Sequence, residues 1–200
     1  MGYVIIGIGI GMLILANNGS RTIAALSIAG GLFHLVNHAA FKGLLFLNAG
    51  AIEYRTGTRN LKEMGGLSDR MPVTYSTSLG ASLVISGIPP FNGFFSKLII
   101  ILAAISGGFY LLAALAILVS IVTLASFLKF QKFSFFNKLR EPGRDSIREV
   151  PFFMCFSMVT LGFLCLVLSL LIFPGIREIV LTPAVDALMN TTGYGSLIMK

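Results

Sequence analysis

Gly87-Ile88-Pro89-Pro90-Phe91-Asn92-Gly93-Phe94-Phe95-Ser96-Lys97 interrupts an apolar run that carries no charge from Met71 to Ser96 and none again from Leu98 to Leu128. Proline removes a backbone donor and its ring clashes with the preceding turn, so no straight helix passes through Pro89 and Pro90. Gly93 adds a second weak point. Lys97 lies about 12 Å beyond Pro89 if the residues between are helical, which sets it deep inside the layer the run crosses. A Pro- and Gly-interrupted hydrophobic segment is a sequence pointer to a transporter's site. The physical reason is that a broken helix frees backbone amides and carbonyls to line a cavity.

The surrounding composition says what that layer is. Of 200 residues, 56% are hydrophobic and 12% charged, against about 25% charged in an ordinary soluble domain. Mean hydropathy is +0.89. These values exclude a soluble enzyme domain and a disordered tail. The net charge of +7 does not indicate nucleic-acid binding, because the basic residues sit between apolar runs rather than on one soluble face. The class is an all-α polytopic transmembrane bundle.

A helix needs about 20 mostly apolar residues to cross a bilayer core. Met1–Ser20 and Val150–Ile176 carry no charge, and Thr22–Ile52 carries only Lys42. With breaks at Pro89-Pro90 and at Ser106-Gly107-Gly108, the sequence predicts six segments, at 1–16, 23–53, 72–88, 89–106, 109–130 and 151–173, with 89–106 as a discontinuous helix. Asn17-Asn18-Gly19-Ser20 is a turn. The loop at 54–71 carries Arg55, Arg59, Lys62 and Arg70. The loop at 129–149 carries Lys129, Lys132, Lys138, Arg140, Arg144 and Arg148, the larger basic excess, and the positive-inside rule puts it in the cytoplasm. Six separate crossings then put 54–71 on the other side despite its four basic residues. A single crossing by 72–106 would remove that tension, but an unbroken helix of that length would be about 52 Å long. No basic leader precedes the first apolar run.

The second segment reads Leu32-Phe33-His34-Leu35-Val36-Asn37-His38-Ala39-Ala40-Phe41-Lys42. His34, His38 and Lys42 repeat every four residues, so they share one helix face and climb about 12 Å along it. A lysine at mid-membrane costs roughly 2.5–3.5 kcal/mol on insertion scales. Removal from water disfavours the charged form of lysine and histidine, which suits both to taking up and releasing a proton. The structural alternative is that the histidines bridge helices and Lys42 snorkels to an interface. No acidic residue lies in the segment of Lys97, so a counter-charge must come from another helix.

Ser120, Thr123 and Ser126 lie on roughly one face of the fifth segment, a spacing that more often bonds back to the helix. Lys129 beyond them reads as an interfacial anchor or as the exit of a polar path. Gly7-Ile8-Gly9-Ile10-Gly11 has no strand–turn–helix context and is no dinucleotide fingerprint. Its GxxxG spacing fits close helix packing. Cys155 and Cys165 are about 15 Å apart on one helix, too far for a disulfide. No metal-ligand spacing and no hydrolytic constellation is present, so no cofactor, metal or catalytic residue is expected.

Phe33-His34-Leu35-Val36-Asn37-His38-Ala39-Ala40-Phe41-Lys42-Gly43-Leu44-Leu45-Phe46-Leu47 resembles a helix of the antiporter-like proton-conducting membrane subunits. Thr56-Gly57-Thr58-Arg59, Met64-Gly65-Gly66-Leu67 and Arg70-Met71-Pro72-Val73-Thr74 resemble the loop after it, and Gly87 to Lys97 resembles that family's broken helix. The family supplies membrane subunits of respiratory complex I, of Mrp-type cation/proton antiporters and of membrane-bound hydrogenases. The wording around Ala51-Ile52-Glu53-Tyr54 is closer to the hydrogenase and Mrp-like branch. The resemblance implies two inverted bundles, each with a broken helix and a buried lysine. It makes residues 1–135 similar to the second bundle, with the first bundle missing, so the chain reads as a fragment or split subunit. Residues 136–200 follow as a loop end, one further helix at 151–173 and a polar tail.

By that resemblance, Lys97 is the broken-helix lysine and Lys42, His38 and His34 belong to a central hydrophilic axis. The expectation is proton translocation through a multisubunit complex in a prokaryotic-type cell membrane. Redox chemistry, if any, would sit in partner subunits. The expected partners are other membrane subunits, lipid, protons and Na+, and no nucleic acid. The rival expectations are a packing module without conduction and a different secondary transporter carrying a small solute.

Overall fold

The computed structural model describes residues 1–137 and 147–190, and every regular element among them is helical. α1 spans Gly2–Ala16 and α2 spans Arg21–Thr56. α3 spans Pro72–Ser86 and α4 spans Asn92–Ser106. α5, Tyr110–Gln131, runs into a π-helical turn at Lys132–Phe136. α6, Phe152–Val167, is prolonged by a 3-10 stretch at Leu168–Ile172. Two short helices follow, α7 at Pro174–Val180 and α8 at Thr182–Met189.

Local chemistry sets these limits. Pro72 opens α3, where its missing N–H costs nothing. Gly87 ends α3 with φ of 79°, a left-handed conformation that a side chain would oppose. The Pro89–Pro90 peptide is cis. α4 then starts at Asn92, so the sequence-predicted break at Pro89, Pro90 and Gly93 is present.

The order of contacts along α2 decides the topology. Thr77 donates to Asn48 Oδ1 at 2.8 Å. Asn92 donates to Asn37 Oδ1 at 2.9 Å, and Ser96 Oγ lies 2.9 Å from His34 Nδ1. A methyl group on Gly30 would come within 2.9 Å of Ile99. The partners descend α2 as the chain ascends from Thr77 to Ile99, without reversal at the break. α3 therefore lies along the C-terminal half of α2 and α4 along its N-terminal half, end to end. α5 runs back beside both, since Lys97 meets Ser120 and Ser82 meets Gln131.

This corrects the sequence-stated alternation of sides. Residues 72–106 make one discontinuous traverse of the bundle. The length objection applied to a rigid rod, whereas two 15-residue halves are about 22 Å each and meet at a joint. α2 itself has 36 residues, about 54 Å, so its ends also extend past an apolar core of about 30 Å. The 57–71 loop and the described flanks of the 129–149 loop consequently lie at one end. Ser68 N donates to Phe135 O at 3.3 Å, Arg55 donates to the backbone carbonyl of Glu149, and the Glu149 carboxylate accepts from Val73 N at 2.7 Å. Lys138, Arg140 and Arg144 of the second loop, and the tail from Thr191, lie outside the described residues.

Residues 174–189, read from sequence as part of a polar tail, instead carry α7 and α8. Leu181 and Val185 are buried, Leu181 against Phe33 and Leu171. The spacing of apolar residues there was helical but short.

α1 packs closely on α2 through its glycines. A methyl group on Gly7 would sit 2.8 Å from Gly31 Cα, and one on Gly11 would sit 2.5 Å from Ile28 Cγ1. Ser27 donates to the Gly7 carbonyl at 2.7 Å across the same seam. Small residues let backbones approach where lipid offers no hydrophobic drive. At the loop end, Leu67, Met71, Phe135 and Met158 form a buried cluster. Each such side chain contributes about 1.5–3 kcal/mol where the alternative is water.

α5 and α6 present apolar surface outward, with Leu111 and Phe153 fully in the open. α2, α5 with its π turn, and α6 with its 3-10 stretch are each long and apolar enough to cross a membrane. Such a surface suits lipid or neighbouring membrane helices.

Candidate functional site

Where α4 begins, α1, α2, α3 and α5 converge on a cavity of about 220 Å³. Its walls include Tyr3, His34, His38, Lys42, Lys97 and Thr123. Larger cavities exist, including one of about 650 Å³ between α1 and α8 and an apolar one of about 350 Å³ between α3 and α6. The first has a single charged side chain, Arg21, and the second none, whereas the small cavity gathers His34, His38, Lys42 and Lys97.

Lys97 is 5% exposed. Its Nζ donates to the Ile85 carbonyl at 2.7 Å and to Ser120 Oγ at 3.2 Å, and stands 4.8 Å from the centre of the Tyr3 ring. The Ile85 carbonyl is available because α3 ends one residue later. An ammonium here is met by two dipoles and an aromatic face. Among the described residues it has no carboxylate partner. Sequence reasoning required a counter-charge from another helix, and the described helices supply dipoles instead.

His34 is buried, and His38 and Lys42 are half-buried on the same face of α2. The ring centres of His34 and His38 are 6.2 Å apart, and Tyr3 lies 5.2 Å from His34. Phe41 packs against both imidazoles. The Lys42 ammonium lies 6.0 Å from the Phe46 ring. Lys97, Lys42, His38 and His34 are thus brought to one cavity. Lys129 is not. It is exposed on α5, six residues past Thr123, or about 9 Å along the helix.

The helix-break residues shape the site without entering it. Pro89 and Pro90 are exposed. Gly93 packs so tightly on α3 that any Cβ there would overlap the Val84 carbonyl. Glycine is therefore required for α4 to start beside the last turn of α3.

Several residues escaped sequence reasoning. Asn37 and Asn92 are fully buried and clasp each other: Asn37 donates to the Asn92 backbone carbonyl at 3.1 Å, and Asn92 donates back to Asn37 Oδ1. Asn92 Oδ1 also accepts from Gly93 N at 2.9 Å. The clasp fixes the first turn of α4 against α2 one helical turn from Lys97. A buried amide in an apolar run was the available signal. Tyr3 donates to the Ala116 carbonyl and lies 2.6 Å from Ser120 Oγ. Thr123 and Ser126 bond back to Val119 and Val122 as their spacing predicted, but Ser120 serves Lys97.

The family profile described as NADH:quinone oxidoreductase/Mrp antiporter, TM, matches residues 1–123. The Na(+)/H(+) antiporter subunit A1 of Staphylococcus aureus strain JH9 is 33% identical over 204 residues, covering 96% of this chain and 25% of that protein. The chain therefore spans a quarter of the length of the curated relatives it matches. Among solved structures, the Mrp complex from Dietzia sp. DQ12-45-1b superposes with a TM-score of 0.74 and 27% identity, over 85% of this chain and 39% of that one. The membrane-bound sulfane sulfur reductase, an archaeal respiratory membrane complex, gives 0.70 and 32% over 76% of this chain and 25% of that one. Respiratory complex I from Thermus thermophilus gives 0.75 over 94% of this chain and 36% of that one, at 24% identity, a likeness of fold.

Proposed function

This chain belongs to the NADH:quinone oxidoreductase/Mrp antiporter transmembrane family, and we propose that it moves protons through the cavity at Lys97. It is an integral membrane, antiporter-like subunit chain. In the proposed mechanism Lys97 holds and releases the proton, and His34, His38 and Lys42 pass it along the face of α2. Residues 1–135 act together as one helical bundle of the subunit. The observation that carries the reading is the convergence of those four ionisable groups on one cavity that also holds Tyr3 and Thr123.

The chemistry fits a relay. The Lys97 ammonium is held by the Ile85 carbonyl and Ser120, contacts that a neutral amine can also keep or release. A neutral imidazole accepts a proton at one ring nitrogen and releases one from the other, so His34 and His38 can hand a proton on. Water in a polar cavity of this volume can bridge the remaining gaps.

The 57–71 loop and the described flanks of the 129–149 loop lie at one end of the bundle, and by the positive-inside rule that end faces the cytoplasm. Other membrane subunits cover the exposed faces of α5 and α6, and Na+ is the coupling ion if the complex is of the Mrp type, as its Staphylococcus and Dietzia relatives suggest. The same relatives favour a prokaryotic cell membrane.

The test is proton flux in proteoliposomes holding the complete complex. Lys97→Ala is expected to cut coupled flux about tenfold or more, equivalent to at least about 1.4 kcal/mol of barrier. Undiminished flux would overturn the reading.

A further inference from the structure

The cavity of about 650 Å³ between α1 and α8 takes no part in the Lys97 site. It lies at the end of the bundle opposite the loops, because α2 starts beside it at Arg21 and reaches the loops only at Thr56. Met12 and Leu15 of α1 and Leu188 and Met189 of α8 form apolar walls, and Asn18 and Arg21 form a polar side. The chain itself separates the two: α1 ends at Ala16 and α2 begins at Arg21, so the polar turn between them closes one end of an apolar slot. Small-molecule sites commonly have volumes of about 300–1,000 Å³.

The polar side is short of partners. Arg21 is exposed, and among the described residues its guanidinium reaches only the Asn190 side-chain oxygen, at 3.5 Å. Among those residues no carboxylate, Asp186 of α8 included, forms an ion pair with it. Asn18 holds the turn tight with a left-handed φ of 53°, and its side-chain amide donates to none of the described residues.

The apolar side is equally open. Met12 is 40% exposed, and Leu15, Leu188 and Met189 are half-buried. Methionine has three rotatable bonds and adapts to an irregular apolar occupant. An arginine that only anchors a helix end at the interface needs no cavity beside it.

A cation and an amide donor next to an apolar slot match one ligand chemistry, a phosphodiester that carries an alkyl chain. Free phosphate would leave the four apolar walls against water, and a plain hydrocarbon would leave Arg21 unpaired. Arginine's planar fork donates to two phosphate oxygens at once.

We infer that this cavity is a phospholipid site, with the phosphate on Arg21 and Asn18 and the upper part of one acyl chain on Met12, Leu15, Leu188 and Met189. The lipid comes from the leaflet at the end opposite the loops. It ties the far end of α8 to the α1–α2 turn, beyond the buried Leu181 and Val185 that hold the start and middle of that helix. The inference needs only that the bundle sits in a bilayer, and not that Lys97 moves protons.

The test uses the complete complex in a phosphatidylethanolamine bilayer with a small fraction of phosphatidylglycerol that carries a diazirine on one acyl chain. After illumination, mass spectrometry locates the lipid adducts on this chain. They are expected within 12–15 and at 188–189. Arg21→Gln is expected to lower them about fivefold relative to the total label on the chain, the weight of one basic residue against anionic lipid. Excess inorganic phosphate, compared with chloride at equal ionic strength, is expected to leave them unchanged. An absence of adducts at those positions, or an equal yield in Arg21→Gln, overturns the proposal. Displacement by inorganic phosphate also overturns it and assigns the site to a free anion. If Arg21→Gln does not assemble, Leu188→Trp, which fills the slot from α8, carries the same expectation, and undiminished adducts within 12–15 in that variant overturn the proposal.

Discussion

α3 and α4 are two 15-residue halves of one traverse, yet they are built from opposite materials. α3 buries Thr74, Ser78, Ser82 and Ser86, and α4 beyond Lys97 buries Ile100, Ala103 and Ala104. Both pack on α2 and on α5, while α3 also meets α6 and α4 also meets α1. The difference teaches that the broken helix is polarised: one half buries hydroxyls and the other buries apolar side chains, with Lys97 at the junction.

The sharpest way to break the comparison is at the junction itself. Gly93→Ala drives a methyl group into the Val84 carbonyl, and should cost about 3 kcal/mol, the upper end for overpacking. A large fall in the melting temperature of the purified complex is the expected reading. Unaltered melting would mean that α3 and α4 are not held as described. Next in size is the amide clasp. Asn37→Leu leaves the buried Asn92 side-chain amide nitrogen without an acceptor and should cost about 1–3 kcal/mol. The Asn37→Leu, Asn92→Leu pair should recover part of that loss, which a double-mutant cycle would reveal as coupling.

Glu149→Ala removes a carboxylate that caps the first turn of α3, worth about 1 kcal/mol. Faster hydrogen exchange confined to the start of α3, with α4 unaffected, would show that the two halves are anchored separately. The smallest effect should come from Ser120→Ala, which removes one neutral hydroxyl from Lys97. It is expected to change stability by about 0.5–1.5 kcal/mol and flux by only a few-fold. A loss as large as that of Lys97→Ala would instead make Ser120 an obligatory carrier.

Much of this was legible in the residues. The apolar runs located α1 to α6 within a few residues, and the proline pair and Gly93 located the break. His34, His38 and Lys42 could be set on one face because four-residue spacing fixes their azimuth on any helix. Lys129 could be read only as an anchor or an exit, since its spacing from Thr123 says nothing about which face of α5 meets the cavity. Tyr3 left no signal, because a lone tyrosine is ordinary in such a helix, and the spacing that picked out Ser120 could not tell a partner of Lys97 from a back-bonding serine. The Ser78–Ser82–Gln131 contact joins positions 49 and 53 residues apart, a separation no local pattern records.

The sequence by itself determined the membrane class, the helices, the break and the scarcity of buried charge, because hydropathy, proline chemistry and helical period act over a few turns. Only the tertiary structure decided that 72–106 traverses the bundle once, and therefore that the 57–71 loop and the described flanks of the 129–149 loop share an end. A break frees the chain to turn back or to continue, and the choice is made by contacts with α2 from Asn48 down to Gly30. Tertiary contacts likewise decided which hydroxyls of α3 face Gln131 on α5.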